Sequence, residues 1–238
     1  DLAFYTNRSK IVKFINNQHS GTRRVGLTTD MGRPREFNEV EVLDAAVACF
    51  WENGYEATSM RKLADKMELT GASLYNAFGD KRALYLRALD HYIGASFADR
   101  VLRLEGKLPP RQAISAFFSE IIERSLDDRQ RKGCMLINSA LEIAPHDPEL
   151  RKLVTEVLGQ IEAFFRRCVQ AGQRDGTIAT AQSATDLGRL LLGIHIGLRV
   201  LARTRPERQL LEGMVSPALT LLEPHDSGKF RSATLRST

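Results

Sequence analysis

Residues 58–78 read TSMRKLADKMELTGASLYNAF, and this stretch decides the fold class. It predicts two short helices joined by a turn at about 68–70, because hydrophobic residues recur at helical spacing on both sides of that break. Thr58 is predicted to cap the first helix, which runs to Met67. The second helix is predicted to run from Gly71 to Phe78, which completes a helix-turn-helix. The residues expected to face inward are Leu63, Ala64, Met67, Leu69, Leu74 and Phe78.

A third helix over 39–53 is predicted to back this pair. Val40, Leu43, Val47 and Phe50 fall on one of its faces, and Gly54 ends it. From residue 39 onward almost all of the chain has helical patterning, and no convincing strand or internal repeat occurs. Further helices are predicted at about 80–104, 110–126, 134–143, 148–171, 184–203 and 206–222. The sequence therefore predicts an all-α protein with an N-terminal three-helix helix-turn-helix domain and a C-terminal helical bundle.

The predicted organisation has four segments. Residues 1–35 form a flexible arm, 36–82 the DNA-binding domain, 83–222 a domain for ligand binding and dimerisation, and 223–238 a flexible tail. Within the arm, Met31 resembles a natural start, so residues 1–30 are interpreted as an upstream extension.

Composition excludes several other classes of protein. The chain has 238 residues, of which 43% are hydrophobic and 26% charged, as in an ordinary globular protein. The longest apolar run, Leu190–Leu198, is far shorter than the roughly 20 residues that a membrane span needs. The three cysteines form no CxxC pair, which argues against a disulfide framework or a zinc knuckle. No cofactor or metal is predicted. A reducing, cytoplasmic location is expected.

The net charge of +5 lies in one place. Residues 1–35 contain seven Lys or Arg against two Asp, and the remaining residues sum to zero. A basic arm suggests a partner that carries phosphates. Residues 36–82 instead carry a net negative charge, although most of their cations fall within 58–82.

The outward residues of the second short helix predict a DNA-reading surface. Thr70, Gly71, Ala72 and Ser73 form its N-terminal end, where small and hydroxyl side chains let a helix enter a major groove. Tyr75 follows with a rigid reach to phosphate, and Asn76 can pair with adenine.

Residues on either side extend this surface. Thr58 is predicted to lie at a helix N-terminus, where phosphates bind, and Lys81 just beyond the second helix can neutralise backbone charge. Arg33 and Arg35, in an arm stiffened by Pro34, are predicted to reach the minor groove. Ser59 and Arg61 complete the predicted DNA-binding set. Periodicity alone leaves a second interpretation open, a buried helix pair with ordinary caps.

The stretch from Ala45 to Leu84 closely resembles the DNA-binding module of the TetR/AcrR family of bacterial transcriptional regulators. The resemblance rests on AA at 45–46, Phe50, GYEATSMRKLA at 54–64 and GASLYNAFGDKRAL at 71–84. It implies an all-helical homodimer of two-domain subunits whose larger domain binds a small ligand. It also implies that Thr58, Tyr75 and Lys81 contact phosphates, and that Ser73 and Asn76 lie in the reading helix. Asn76 stands where the family often has His or Arg, and Gly79 replaces a frequent Pro, so no base preference carries over.

The last two helices are predicted to form the dimer interface, with an internal core as the alternative. The penultimate helix repeats its apolar residues with heptad-like spacing, and Gly193 and Gly197 permit close approach. Pairing of these helices with their twofold copies gives a four-helix interface. The predicted interface residues are Leu187, Leu191, Ile194, Leu198, Leu201, Leu211, Met214, Ala218 and Leu221.

A ligand site is expected in the larger domain, for an effector that is largely apolar. The candidate residues are Phe117, Phe118, Cys134, Met135, Asn138, Glu142, Phe164 and His195. The alternatives are a core role for the phenylalanines and His195, and an inert thiol at Cys134 rather than one that senses electrophiles or oxidants.

The function predicted is a ligand-responsive, homodimeric repressor that binds a palindromic operator in double-stranded DNA and is released by a small molecule. An enzyme is not expected, since no GxSxG, HExxH, Walker, GxGxxG or CxxC motif occurs and the five histidines lack metal-ligand spacing. The alternatives are an all-helical enzyme that acts on a small molecule and an adaptor that uses the helical module for protein contacts.

Overall fold

The computed structural model describes residues 37–224, which contain helices and no strand. This confirms the predicted all-α fold class. The helices are α1 (Glu39–Asn53), α2 (Met60–Lys66), α3 (Gly71–Phe78), α4 (Lys81–Ile93), α5 (Asp99–Leu104), α6 (Pro110–Asp127), α7 (Met135–Glu142), α8 (Pro148–Arg174), α9 (Ala184–Thr204) and α10 (Arg208–Leu221). A π-helical turn, Gly94–Ala98, joins α4 to α5. The predicted arm with Arg33 and Arg35 and residues 225–238 of the predicted tail lie outside the described residues.

The chain divides into two compact units. The first unit comprises the residues up to Asp99 together with Cys134–Thr155, and the second comprises Arg100–Gly133 together with the residues from Glu156 onward. Residues 134–155 therefore belong to the unit that contains the helix-turn-helix. The functional boundary predicted at residue 82 stays a prediction.

In the first unit, α1 packs on α2 and α4, α2 packs on α3, and α4 packs on α3 and α7. Leu63 and Leu74 are fully buried where the two short helices meet, and Ala64 and Phe78 are almost so. Met67 and Leu69 are only half-buried. This packing is the one expected for a helix-turn-helix backed by a third helix.

Polar caps set the helix boundaries here, and one of them differs from expectation. The N-cap of α2 is Ser59, whose Oγ accepts the Lys62 N–H at 3.1 Å, so the prediction that Thr58 caps this helix is wrong. Thr58 instead donates its hydroxyl to the Gly54 carbonyl at 2.7 Å and is only 1% exposed. Two adjacent hydroxyl residues both suit an N-cap, and the packing of the preceding loop selects between them.

In the second unit, α6 packs on α9 and α10, and α9 and α10 pack on each other. Four buried phenylalanines, Phe117 and Phe118 of α6 with Phe164 and Phe165 of α8, form one aromatic cluster with ring centroids 5.0–5.8 Å apart. The last helix begins at Arg208, so the prediction that Pro206 opens it is wrong by two residues. Pro206 precedes Glu207, which stands at the N-cap position.

The predicted dimer seam is largely in the core of this second unit. Leu187, Leu191, Leu198, Leu211 and Ala218 are buried within the chain, while Ile194, Leu201 and Met214 are half-buried and Leu221 is exposed. These five residues therefore belong to an internal core, which was the alternative to a dimer interface in the sequence analysis. A heptad-like pattern marks a buried face but does not say which partner covers it.

Candidate nucleic-acid interface

The N-terminal end of α3 is capped by Thr70 and is exposed. Thr70 Oγ1 accepts the Ser73 N–H at 3.1 Å and lies 2.8 Å from the Ser73 hydroxyl. The N–H groups of Gly71 and Ala72 find no acceptor within residues 37–224. A Cβ added at Gly71 would meet nothing within 4 Å. The positive end of the helix dipole and two backbone donors therefore face open space.

The exposed residues of α3 lie at its N-terminal end and on the side away from its buried residues. Leu74 and Phe78 anchor the helix on its buried side. Thr70, Gly71, Ala72, Ser73, Tyr75 and Asn76 are all exposed, and the Tyr75 side chain retains 53% of its accessible surface although it is large and aromatic. We call these six residues the reading edge. None of the residues that the structure describes covers it.

Lys81, at the start of α4, is fixed by Tyr55. Its Nζ donates to the Tyr55 carbonyl at 3.1 Å and lies 4.2 Å from the centre of the Tyr55 ring. That ring packs against Tyr85 with centroids 4.9 Å apart, and burial raises the pKa of the Tyr55 hydroxyl. An ammonium has three N–H groups, so Lys81 can donate further hydrogen bonds besides the one to the Tyr55 carbonyl.

The polar side chains at the start of α2 differ in part from the prediction. The Thr58 side chain is buried, and the exposed hydroxyl next to it belongs to Ser59. Arg61 is exposed and makes no ion pair within residues 37–224. Lys62, which was not singled out from the sequence, donates from Nζ to Asn53 Oδ1.

Two acidic contacts that sequence analysis missed support the helix-turn-helix within the first unit. Glu142 of α7 accepts the backbone N–H groups of Tyr55 and Glu56 at 3.0 and 3.3 Å. It therefore binds the loop before α2, although it was predicted to be a ligand anchor. Asp147 pairs with Arg82 at 2.6 Å, and this guanidinium holds the pKa of the carboxyl down to about 2. The partners lie more than 60 residues apart in the sequence, so no local pattern signals either contact.

The remaining predicted ligand residues fall in both units, and each group is described by itself. In the first unit, Cys134, Met135 and Asn138 lie at the start of α7, and Cys134 is buried with the Tyr92 hydroxyl donating to its sulfur at 3.6 Å. In the second unit, the His195 ring joins the aromatic cluster, 5.5 Å from the Phe117 ring centre. Phe117, Phe118 and Phe164 are completely buried, as their core alternative expects.

The described residues offer neither a metal site nor a membrane span. Residues 37–224 contain no group of three or more His, Cys, Asp or Glu side chains placed to hold a metal ion. Over the same range, none of the helices combines the length and the apolarity that a membrane crossing requires.

Two stretches of the chain match known protein families. Residues 42–88 match the family described as bacterial regulatory proteins, tetR family. Residues 110–214 match the family described as tetracyclin repressor-like, C-terminal domain.

Individual relatives cover most of the chain. The HTH-type transcriptional regulator YezE of Bacillus subtilis is 32% identical over 194 residues, which is 81% of this chain and all of YezE. The HTH-type transcriptional repressor ComR of Escherichia coli is 31% identical over 80% of this chain and 90% of its own length. A cysteine-substituted form of the TetR family regulator CifR, solved with 26-bp double-strand operator DNA, is 31% identical with a TM-score of 0.71, over 80% of this chain and all of CifR.

Proposed function

Because the chain belongs to the tetR family of bacterial regulatory proteins, we propose that it is a transcriptional repressor that binds a palindromic operator in double-stranded DNA as a homodimer. A small-molecule effector releases it from the operator, and it acts in the cytoplasm, where bacterial DNA lies. The observation that carries this proposal is the exposed reading edge at the start of α3.

The reading edge has the chemistry that a duplex requires. Gly71 and Ala72 add almost no bulk, so the end of α3 enters a major groove without a clash. Their free N–H groups and the helix dipole favour a phosphate oxygen. Asn76 has the side-chain amide that pairs with adenine, and Tyr75 is long enough to contact the sugar-phosphate backbone of the DNA. The CifR complex supports this role, since CifR has a similar fold and was solved with operator DNA bound.

A second copy of the chain accounts for an apolar face on α9 and α10. These two helices pack together, and each has an exposed glycine, Gly193 and Gly213, where an added Cβ would meet nothing within 4 Å. Large apolar side chains are also exposed on them, namely Leu190, Val200 and Leu221 at 41–45%. Small residues beside exposed apolar ones let helices approach closely. We place the twofold interface on this face, rather than on the buried residues of the predicted seam.

Dimerisation also serves DNA binding. Two reading edges related by a twofold axis match the two halves of a palindromic operator. Engagement of both halves makes the second contact intramolecular and raises affinity far above that of one short helix.

Release by an effector is supported by the contacts within the first unit. Glu142 holds the loop before α2, and Arg82 at the start of α4 holds Asp147 and Glu149. A shift in residues 134–155 therefore moves the helix-turn-helix with it. Effector control needs a coupling free energy of only about 1–3 kcal/mol between the two sites.

The proposal is tested by selection of a duplex sequence. The full chain is used to select operator sequences from a randomised duplex library, and the selected duplex is titrated with wild type, Tyr75→Ala and Leu141→Ala. Both substitutions remove a large exposed side chain from the first unit, at 53% and 69% exposure, so neither should alter folding. We expect Tyr75→Ala to lose specific binding and Leu141→Ala to retain it. Failure to enrich any sequence, or full affinity of the Tyr75→Ala protein, would overturn the proposal.

A further inference from the structure

Three basic side chains are buried together in the second unit without enough acceptors. Arg100 is 2% exposed, His195 3% and Arg199 8%. Each has a buried nitrogen that finds no hydrogen-bond partner within residues 37–224, namely Arg100 Nη2, His195 Nδ1 and Arg199 Nε. Buried polar groups in proteins are nearly always satisfied, so three such nitrogens at one place require an explanation.

Two of the three groups, His195 and Arg100, pack against one aromatic ring. His195 and Arg199 are four residues apart on α9 and therefore lie on the same face of that helix. The His195 ring is 5.5 Å from the centre of the Phe117 ring, and the Arg100 guanidinium carbon is 5.2 Å from the same centre. Arg199 is close enough for its charge to lower the pKa of both His195 and Arg100, so the three groups form one cluster beside Phe117, which we call the basic cluster.

The basic cluster has too little negative charge. Arg100 Nε donates to Glu120 at 3.1 Å, but Glu120 also accepts two hydrogen bonds from Arg103, at 2.8 and 2.9 Å. Arg199 Nε has no hydrogen-bond partner among the residues that the structure describes. Burial, together with the charges of Arg199 and Arg100, keeps the pKa of His195 well below its usual range. Burial and the Arg199 charge likewise lower the pKa of Arg100.

Such an arrangement favours an anion. A buried guanidinium that lacks a counter-charge is costly, and a carboxylate matches its planar fork with two parallel hydrogen bonds. The surrounding rings of Phe117 and Phe164, whose centroids are 5.3 Å apart, are apolar and suit the uncharged part of such a molecule.

We propose that the basic cluster binds the carboxylate of an effector with an apolar body, paired with Arg100 and Arg199 and hydrogen-bonded to His195. This inference rests on the proposed control of operator binding by a small molecule, and it assigns the chemical class of that molecule. It departs from the sequence-based expectation in one respect: the predicted residue His195 stays in the site, but Arg100 and Arg199 replace Asn138 and Glu142 as its other polar groups.

The test uses octanoate and benzoate, with octanamide and benzamide as uncharged counterparts of the same shape. Thermal unfolding of the full-length wild type is expected to shift upward with the carboxylates and not with the amides. Arg199→Met should abolish this shift and should raise the melting temperature of the ligand-free protein, because it removes an unpaired buried charge. The matched control, Arg203→Met, removes an exposed cation from the same helix and should leave both results unchanged.

A second variant keeps the test independent of how Arg199→Met folds. Arg199→Lys retains the charge and loses the planar fork, so carboxylate affinity should fall about tenfold. Equal shifts in wild type and both Arg199 variants, or no carboxylate shift in wild type, would overturn the inference. A lower melting temperature for ligand-free Arg199→Met would also contradict it, since that result indicates a structural role.

Operator titrations separate this inference from the proposed function. If wild type binds operator DNA and neither carboxylate stabilises it, the carboxylate site is wrong and the DNA-binding function stands. If the carboxylates bind at Arg199 and no operator is selected, the carboxylate site stands and the proposed function is wrong. If both the carboxylate site and the proposed function are correct, the carboxylates lower the operator affinity of wild type and leave the operator affinity of Arg199→Met unchanged.

Discussion

Asp147 accepts two hydrogen bonds from the Arg82 guanidinium, one at Oδ2 from Nε at 2.6 Å and one at Oδ1 from Nη2 at 3.0 Å. Asp147 Oδ1 also accepts hydrogen bonds from the backbone N–H groups of Glu149 and Leu150, each at 3.0 Å. One carboxylate therefore caps α8 and also holds the start of α4, directly after the reading helix. This relationship makes Asp147 a structural support of the DNA-binding surface.

We expect Asp147→Asn to lower the free energy of unfolding by about 1 kcal/mol at pH 7, because the amide retains the cap and loses the ion pair. The estimate is small because the Arg82 side chain is 42% exposed. The folded-state pKa of Asp147 is depressed from 3.8 to about 2, so its contribution is present above pH 3.8 and is lost as the pH falls toward 2. Urea denaturation of both proteins from pH 7 to pH 2 checks this. A difference that stays constant down to pH 2 would contradict the assignment.

The open space at Gly71 leads to a second prediction. Gly71→Ala should fold as well as wild type or be more stable by about 0.5 kcal/mol, since its Cβ meets no neighbour and alanine restricts the unfolded chain. Gly71→Leu should also fold, but its side chain stands between the helix end and the duplex and should weaken operator binding at least about tenfold. Denaturation and operator titration measure the two effects separately. Unchanged operator affinity for Gly71→Leu would place this end of α3 away from the DNA.

Lys81 is expected to contribute a contact that does not depend on sequence. Lys81→Met should weaken binding to specific and nonspecific duplexes alike, and in a dimer it should reduce the slope of log K against log salt by about 2. Lys107→Met is the matched control, because it removes the same charge from an exposed site in the second unit. Titrations at several salt concentrations give the slopes. Equal slopes for the Lys81→Met and Lys107→Met proteins would show that Lys81 does not contact phosphate.

The elements that the sequence predicted well are those with local signals. The predicted limits of α1 and α3 agree with the structure, because Gly54 and Gly79 stop these helices at positive φ, 78° and 80°, and Thr70 caps α3 with its own side chain. A positive φ favours glycine, and a cap needs only residues three positions away, so both features can be read from a short stretch.

The features that sequence analysis missed depend on long-range packing. Glu142 finds its backbone donors 86 and 87 residues away, and only the fold brings them together. Arg199 is a cation that is only 8% exposed, and the sequence around it gives no local signal that this position is covered. Leu198 is likewise buried and Leu190 is exposed, which the apolar pattern of α9 alone does not decide.

The last prediction concerns the twofold interface, and two exposed helical glycines make a matched pair for it. Gly193 of α9 lies on the proposed interface and Gly159 of α8 does not, and an added Cβ at either position would meet nothing within 4 Å. Gly193→Arg should give a monomer with unchanged helix content, because it brings two like charges and two bulky side chains together at the twofold axis. Gly159→Arg makes the same change in charge and should remain a dimer.

Sedimentation velocity distinguishes the two proteins, and operator titration provides a second readout. The Gly193→Arg monomer loses simultaneous engagement of both half-sites, so its affinity should fall by about 10² to 10⁴. The Gly159→Arg dimer should bind as wild type does. If the Gly193→Arg protein sediments as a dimer and retains operator affinity, the copies associate through another surface, and the exposed face of α9 and α10 needs a different explanation.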